Sequence, residues 1–217
     1  MIKTALLIAL LTLSLTAGAE TITFNGAPSG TGTLYDSVLG QTVYAGEYSL
    51  TVSGQNFLLP CITPQFEIYN GETWQANLDP VVDYSGGITL FGDATISFAD
   101  LTKQVWLYSK MGTDITTNAN LNGAIWDLTV PGTFSSTDVT DQLNLANTWY
   151  STLSGTAAQA FDEPYSLIVP VAGTQVPSDH GYPQVFVVDA APEPLTTLLM
   201  GGGLIVLGLI GRKRRPS

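Results

Sequence analysis

Alternating apolar and polar residues in the first part of the chain predict β-strands. Four such segments are rich in Thr, Val, Tyr and Trp: TITF (21–24), TVYAGEYSLTV (42–52), QFEIYN (65–70) and ETWQANL (72–78). Gly and Asn-Gly pairs separate them, which is typical of turns. Two further strands are predicted later in the chain, at YSLIVPV (165–171) and QVFVVD (184–189).

Between these two groups of strands the apolar residues recur at helical spacing. Three helices are predicted, over FADLTKQVWLYSKM (98–111), NANLNGAIWDL (118–128) and STDVTDQLNLANTWYSTL (136–153). We expect Asp100 to cap the first helix, Ser136 or Thr137 to cap the third, and the second to bury Trp126. The pattern therefore predicts an α+β fold, a β-rich single domain over residues 20–191 with an inserted helical segment.

The N-terminus has the three-part layout of a secretory signal peptide. An apolar run follows Lys3, and the small residues Ala17 and Ala19 stand at the positions that a signal peptidase recognises. We expect cleavage after Ala19, so that residues 1–19 form the signal peptide. A retained anchor is the alternative, but the apolar run is short for a bilayer span.

The C-terminus joins an apolar stretch to most of the basic residues of the chain. Residues 195–210 carry no charge, and as a helix they would span roughly 24 Å of a hydrocarbon core about 30 Å thick. The tail at 211–217 holds four of the seven basic residues, Arg212, Lys213, Arg214 and Arg215. By the positive-inside rule this tail stays inside, which predicts a C-terminal transmembrane helix and an exported region before it.

Immediately before the apolar stretch stands the motif Pro192-Glu193-Pro194. Pro-Glu-Pro, an apolar span and a terminal basic cluster, in that order, resemble the PEP-CTERM sorting signal of Gram-negative bacteria over residues 192–217. The resemblance implies that an exosortase, a membrane-embedded cysteine transpeptidase, cuts at the motif. It also implies a link to exopolysaccharide and biofilm. An ordinary single-pass anchor with a proline-rich stalk is the alternative.

The exported region is strongly acidic. All 18 carboxylates lie between Glu20 and Glu193, and two lysines oppose them, which leaves a formal charge of −16. Binding to nucleic acid needs Lys and Arg to neutralise phosphates, so nucleic acid is excluded as a partner. The charge favours solubility outside the cell.

Few residues offer catalytic or metal-binding chemistry. Cys61 is the single cysteine and His180 the single histidine, so an internal disulfide is excluded and zinc lacks its preferred ligands. No Gly-x-Ser-x-Gly elbow is present, and nothing near Cys61 supports its pairing with His180 as a protease. We therefore expect no enzymatic activity, no cofactor and no metal site. The simplest role of Cys61 is that of a small buried apolar side chain.

A second resemblance gives Cys61 another interpretation. The order LLPCITPQFEIYNGETWQA, KQVWLYSKM, NGAIWDL is similar to the thioester domains of Gram-positive surface adhesins. In that family a cysteine thiol condenses with a glutamine four residues before the Trp of an Ala-Ile-Trp motif, and the bond acylates amines. The resemblance implies Cys61 as the thiol and residues 124–126 as the motif. Asn122 then stands at the glutamine position, one methylene shorter, which favours an absent crosslink.

These patterns predict an exported surface or extracellular-matrix protein that contributes adhesion or structure without catalysis. Its expected partners are a signal peptidase, an exosortase, the inner membrane before processing, and exopolysaccharide. One alternative is a covalent adhesin with a Cys61 thioester. Another is a secreted carbohydrate-binding protein, for which Trp74, next to a turn, is the candidate stacking residue.

Overall fold

The computed structural model describes residues 18–29, 31–64, 68–90, 95–173 and 183–189, which fold as a mixture of sheet and helix. Ten strands occur among these residues: β1 (Glu20–Gly26), β2 (Gly32–Asp36), β3 (Gln41–Ala45), β4 (Glu47–Val52), β5 (Gln55–Pro60), β6 (Thr73–Pro80), β7 (Ile88–Thr89), β8 (Thr95–Ile96), β9 (Tyr165–Pro170) and β10 (Phe186–Asp189). Six of them form one antiparallel sheet in the order β10-β9-β6-β1-β4-β5. The pairs β2-β3 and β7-β8 form two small separate sheets.

The six-stranded sheet curls until its two edges nearly meet. Just past the end of β5, Cys61 forms an antiparallel bridge with Phe186 of β10. The amide of Ile62 also donates to the carbonyl of Val185 at 2.8 Å. We call this junction of residues 61–63 with 184–186 the seam. Two edge strands that would otherwise expose unpaired backbone groups are thereby joined.

Aromatic side chains fill the space enclosed by this sheet. Phe186 lies between Trp74, stacked at 6.5 Å, and Tyr48, which meets it edge-on at 6.5 Å. Ile22 at the centre pairs with Val52 on one side and Trp74 on the other, and all three side chains are buried. Large aromatic rings supply much of the apolar burial that a domain without disulfides needs.

Four α-helices are described, all between β8 and β9: α1 (Phe98–Tyr108), α2 (Ile115–Thr129), α3 (Thr137–Ser151) and α4 (Gly155–Asp162). A short 3-10 helix, Val81–Tyr84, precedes them. Helix α2 lies against the β2-β3 pair, and two glycines allow the close approach. A Cβ on Gly32 would lie 2.5 Å from Ala119, and one on Gly123 would lie 2.4 Å from Leu34. Gly123, which sequence alone marks as part of an Asn-Gly pair, is therefore a packing residue.

The described fold confirms the mixture of helix and sheet, and it corrects several local predictions. The segment predicted as one strand over 42–52 is two strands, because Gly46 turns the chain with φ 123°. Of the strand predicted over 65–70, residues 68–70 form a loop and turn, and 65–67 lie outside the described residues. The N-cap of the first helix is Ser97, whose Oγ accepts from the amide of Asp100, so Asp100 is not the cap. Ser136 caps α3 as predicted.

The predictions for the chain ends concern residues that the structure does not describe. Ala17, the motif Pro192-Glu193-Pro194, the span at 195–210 and the basic tail all lie outside the described ranges, as does His180. Ala19 is described, and it is exposed one residue before β1. Within the described ranges, no helix has the length and apolarity to cross a membrane.

Candidate functional site

Cys61 lies at the seam, where the two edge strands of the nearly closed sheet meet. The residues around it are held across the junction by backbone and side-chain hydrogen bonds. Besides the Ile62 contact, the amide of Val185 donates to Thr63 Oγ1 at 3.0 Å. Cys61 therefore belongs to the part of the sheet that joins its first and last strands.

Helix α2 presents three polar side chains to the seam from one face. Asn122 Nδ2 and Trp126 Nε1 both donate to the carbonyl oxygen of Cys61, at 2.9 and 2.8 Å. Thr129 Oγ1 donates to the carbonyl of Ile62 at 2.7 Å. The spacing i, i+4, i+7 places the three on one side of a helix. We call Asn122, Trp126 and Thr129 the seam clasp, because they satisfy carbonyls at the end of β5.

Asn122 also connects the seam to the turn between β3 and β4. Its Oδ1 accepts from the amide of Gly46 at 2.9 Å, and the side chain is fully buried. Gly46 takes the left-handed region, which a residue with a Cβ enters only with strain. Both ends of the amide are therefore engaged, and one side chain fixes α2, the β3-β4 turn and the seam together.

The thiol of Cys61 is enclosed by the same structure. Its Sγ contacts its own neighbour two residues on, accepting from the amide of Thr63 at 3.3 Å and donating to its carbonyl at 3.4 Å. Burial raises the pKa of the Cys61 thiol to about 12, although the hydrogen bond from the Thr63 amide acts in the opposite direction. At neutral pH this group is a thiol, and the nucleophilic form of cysteine is the thiolate. The environment is that of an inert structural cysteine.

A cleft of about 940 Å³ opens beside the seam. Its floor includes the buried rings of Phe24, Tyr48, Trp126 and Phe134, with Trp126 and Phe134 5.1 Å apart. Its walls come from the β1-β2 loop, the β2-β3 hairpin and the turn at 68–70. Trp126 thus contributes its indole nitrogen to the seam clasp and its ring to the cleft.

Comparison of the chain with protein-family models, with curated proteins and with solved structures found no match. The resemblances to a PEP-CTERM signal and to thioester domains stay predictions that rest on the quoted motifs.

The structure brings Cys61 and Asn122 together, although they are 61 residues apart in sequence. It buries Trp74, which is 3 % exposed and inside the sheet, so the prediction of Trp74 as a sugar-stacking residue is wrong. An aromatic next to a turn is exposed only if its side chain points outward, and Trp74 faces Ile22 and Phe186. Among the described residues, no group of three His, Cys, Asp or Glu side chains is arranged to hold a metal ion.

Sequence reasoning missed the remaining members of the site. Thr129 was detectable as a polar residue that helical spacing places on the same face as Asn122 and Trp126. Gly46 was detectable only as a glycine interrupting a strand pattern, which indicates a bend. Tyr44 and Tyr69, two exposed tyrosines that also line the cleft, gave no signal in the sequence, because the cleft is made by segments that meet only in the folded chain.

Proposed function

We propose that the chain is an exported surface or extracellular-matrix protein that an exosortase sorts in a Gram-negative envelope. The observation that carries this proposal is the ordered C-terminal signal, with Pro192-Glu193-Pro194 before the uncharged span at 195–210 and the basic tail at 211–217. Residues 1–19 direct export, and the span anchors the chain transiently in the inner membrane. The ectodomain then reaches the cell surface or the surrounding matrix.

A structural or adhesive role, without catalysis, fits the surroundings of Cys61. The single thiol is buried and protonated, and the Asn122 amide is engaged at both its nitrogen and its oxygen. The formal charge of −16 between Glu20 and Glu193 keeps such a protein soluble outside the cell. These features support a stable domain with a structural or adhesive role.

The intact mass of the protein from its host's envelope and culture medium tests the sorting step. We expect a chain that begins at Glu20 and ends at or just before the Pro-Glu-Pro motif. Glu193→Ala should accumulate as the uncut chain at the membrane. Glu163→Ala, an exposed glutamate after α4, is the matched control and should be processed normally. Native chains that all end at Ser217 would contradict the proposal and leave a plain membrane anchor.

One second candidate is a covalent adhesin, because the Asn122 amide lies beside Cys61; its hydrogen bond is to the backbone carbonyl of Cys61, not to Sγ. Its thioester would form when Cys61 Sγ attacks Asn122 Cγ, the C–N bond breaks, and the thiol proton leaves with the amide nitrogen as ammonia. The mass spectrum then shows a deficit of one ammonia that methylamine abolishes by adding to the acyl carbon. Peptide mapping is needed because a succinimide at Asn122-Gly123 shows the same deficit. An undiminished mass with one free thiol rejects this candidate.

A further inference from the structure

We propose that the cleft beside the seam binds a neutral glycan chain, with Tyr44 and Tyr69 as its stacking surfaces. This inference rests on the proposed function only for its setting, an exported protein that meets polysaccharide. The ligand class follows from the cleft itself. Its volume of about 940 Å³ falls at the large end of the usual range for ligand sites, roughly 300–1,000 Å³.

Two tyrosines at the walls of the cleft are unusually exposed. Tyr44 on β3 is 62 % exposed, and Tyr69 in the turn before β6 is 47 % exposed. Both line the cleft. An aromatic ring offers an apolar face and a polar edge, which suits a sugar ring with C–H groups on one face and hydroxyls around it. The deeper rings of Phe24, Tyr48, Trp126 and Phe134 are at most 8 % exposed, so among the described lining residues Tyr44 and Tyr69 have the most exposed aromatic rings.

The charges of the residues that line the cleft indicate which class of ligand it can bind. Among the described residues that line the cleft, Asp36 alone carries a formal charge at neutral pH. Asp36 is buried, and its Oδ1 accepts from the amides of Val38 and Leu39, both at 2.8 Å, so it serves the hairpin turn. Among the described lining residues, no cation is available to a polyanion, which the surrounding region of charge −16 also repels. The described lining likewise has no exposed carboxylate for a cationic ligand.

Amide and hydroxyl side chains complete the lining. Thr33, Gln41, Thr42 and Asn70 are exposed and border the cleft. Each both donates and accepts hydrogen bonds, as sugar hydroxyls do. This combination of aromatic faces with uncharged polar groups fits a neutral glycan better than an ionic or a purely apolar ligand.

The walls are held in place before any ligand binds. Tyr48 Oη donates to the carbonyl of Tyr44 at 2.6 Å, which ties the β3 wall to the floor. The amide of Tyr69 donates to Glu72 Oε2 at 2.8 Å, and the amide of Gly71 donates to the carbonyl of Phe24 at 2.8 Å. A preformed site loses less conformational entropy on binding.

The test is calorimetric titration of the full chain in a detergent that has no sugar headgroup. The probes are cellohexaose, laminarihexaose, maltohexaose and mannohexaose, with a galacturonate hexamer as the charged probe. We expect saturable binding of at least one neutral hexasaccharide and weaker binding of the galacturonate. Tyr44→Ala and Tyr69→Ala should each weaken binding about tenfold, because each removes one aromatic contact surface. Tyr35→Ala is the matched control, since Tyr35 is 64 % exposed on the same hairpin but outside the lining.

Each outcome decides the inference. Binding that Tyr44→Ala and Tyr69→Ala weaken and Tyr35→Ala leaves unchanged supports it. Absence of saturable binding to every neutral probe overturns it, as does preferential binding of the galacturonate or an equal loss in Tyr35→Ala. Circular dichroism of each variant establishes that it is folded. Failure of sorting is seen separately in the mass of the processed chain, so a correctly sorted protein that binds no neutral glycan refutes this inference alone.

Discussion

Replacing Asn122 with Ala removes the most connected member of the seam clasp. The change deletes two buried hydrogen bonds, from Asn122 Nδ2 to the Cys61 carbonyl and from the Gly46 amide to Asn122 Oδ1. Each bond contributes about 0.5–1.5 kcal/mol net, and a buried donor left unpaired costs about 1–3 kcal/mol. The Cys61 carbonyl keeps Trp126 as a donor, so the unpaired group is the amide of Gly46.

The free energy of unfolding should therefore fall by about 2–4 kcal/mol in Asn122→Ala. For a domain of this size that lowers Tm by roughly 5–15 °C. Urea unfolding followed by tryptophan fluorescence measures the change, since Trp126 and Trp74 are both buried at or near the seam. Asn144→Ala, at an exposed position of α3, is the matched control and should change the free energy by less than about 0.5 kcal/mol. Equal stability of the two variants would show that the clasp contributes nothing, and the argument from the seam would be wrong.

Three further predictions concern Cys61, Asp162 and Gly32. The thiol of Cys61, whose pKa burial raises to about 12, should react with iodoacetamide at least about a hundredfold more slowly in the native protein than in urea, and rapid labelling of native protein would contradict its enclosure. Burial raises the pKa of Asp162 to about 6, although the hydrogen bond that the Thr102 hydroxyl donates to Asp162 Oδ2 at 2.5 Å acts in the opposite direction. Because the folded pKa is raised, the contribution of this group to stability is full below about pH 4 and is lost as the pH rises through 6. Asp162→Asn should remove that decline when the free energy of unfolding is measured against pH. A pH profile that is the same in the variant would refute this prediction. Gly32→Ala should lower the free energy of unfolding by about 1–3 kcal/mol, because its Cβ would lie 2.5 Å from Ala119 Cβ and 3.1 Å from a backbone oxygen. Gly112→Ala, with open space around it, is the control and should not destabilise the fold. Equal melting temperatures of the two variants would contradict the close packing.

The sequence was most informative where local chemistry decides the structure. β1, β6 and the three predicted helices are present within a few residues of the expected bounds, because β-branched and aromatic runs, apolar helical spacing and the Ser136 cap act locally. The hairpin from β4 to β5 was missed although Ser53 and Gly54, both at positive φ, form the two-residue turn that joins such strands.

The candidate site depended on contacts that no local pattern contains. The resemblance to thioester domains relates Cys61 to Asn122 through the thiol, whereas the structure joins them through the backbone carbonyl of Cys61, a contact that the sequence did not predict. The cleft is formed by segments from β1, the β2-β3 hairpin, α2 and residues near 184, which approach one another only when the sheet closes. Trp74 shows why exposure was mispredicted, since proximity to a turn says little about the face of the sheet on which a side chain lies.

The seam also determines how late in folding the sheet is completed. Its side-chain bond from the Val185 amide to Thr63 joins residues 122 positions apart, and all four described helices lie in the intervening chain. Contacts of such long sequence separation form slowly, because most of the chain must be ordered before they contribute. Until β10 arrives, β5 remains an open edge that can pair with another molecule. The last described strand therefore closes the edge at which β5 could otherwise aggregate during folding.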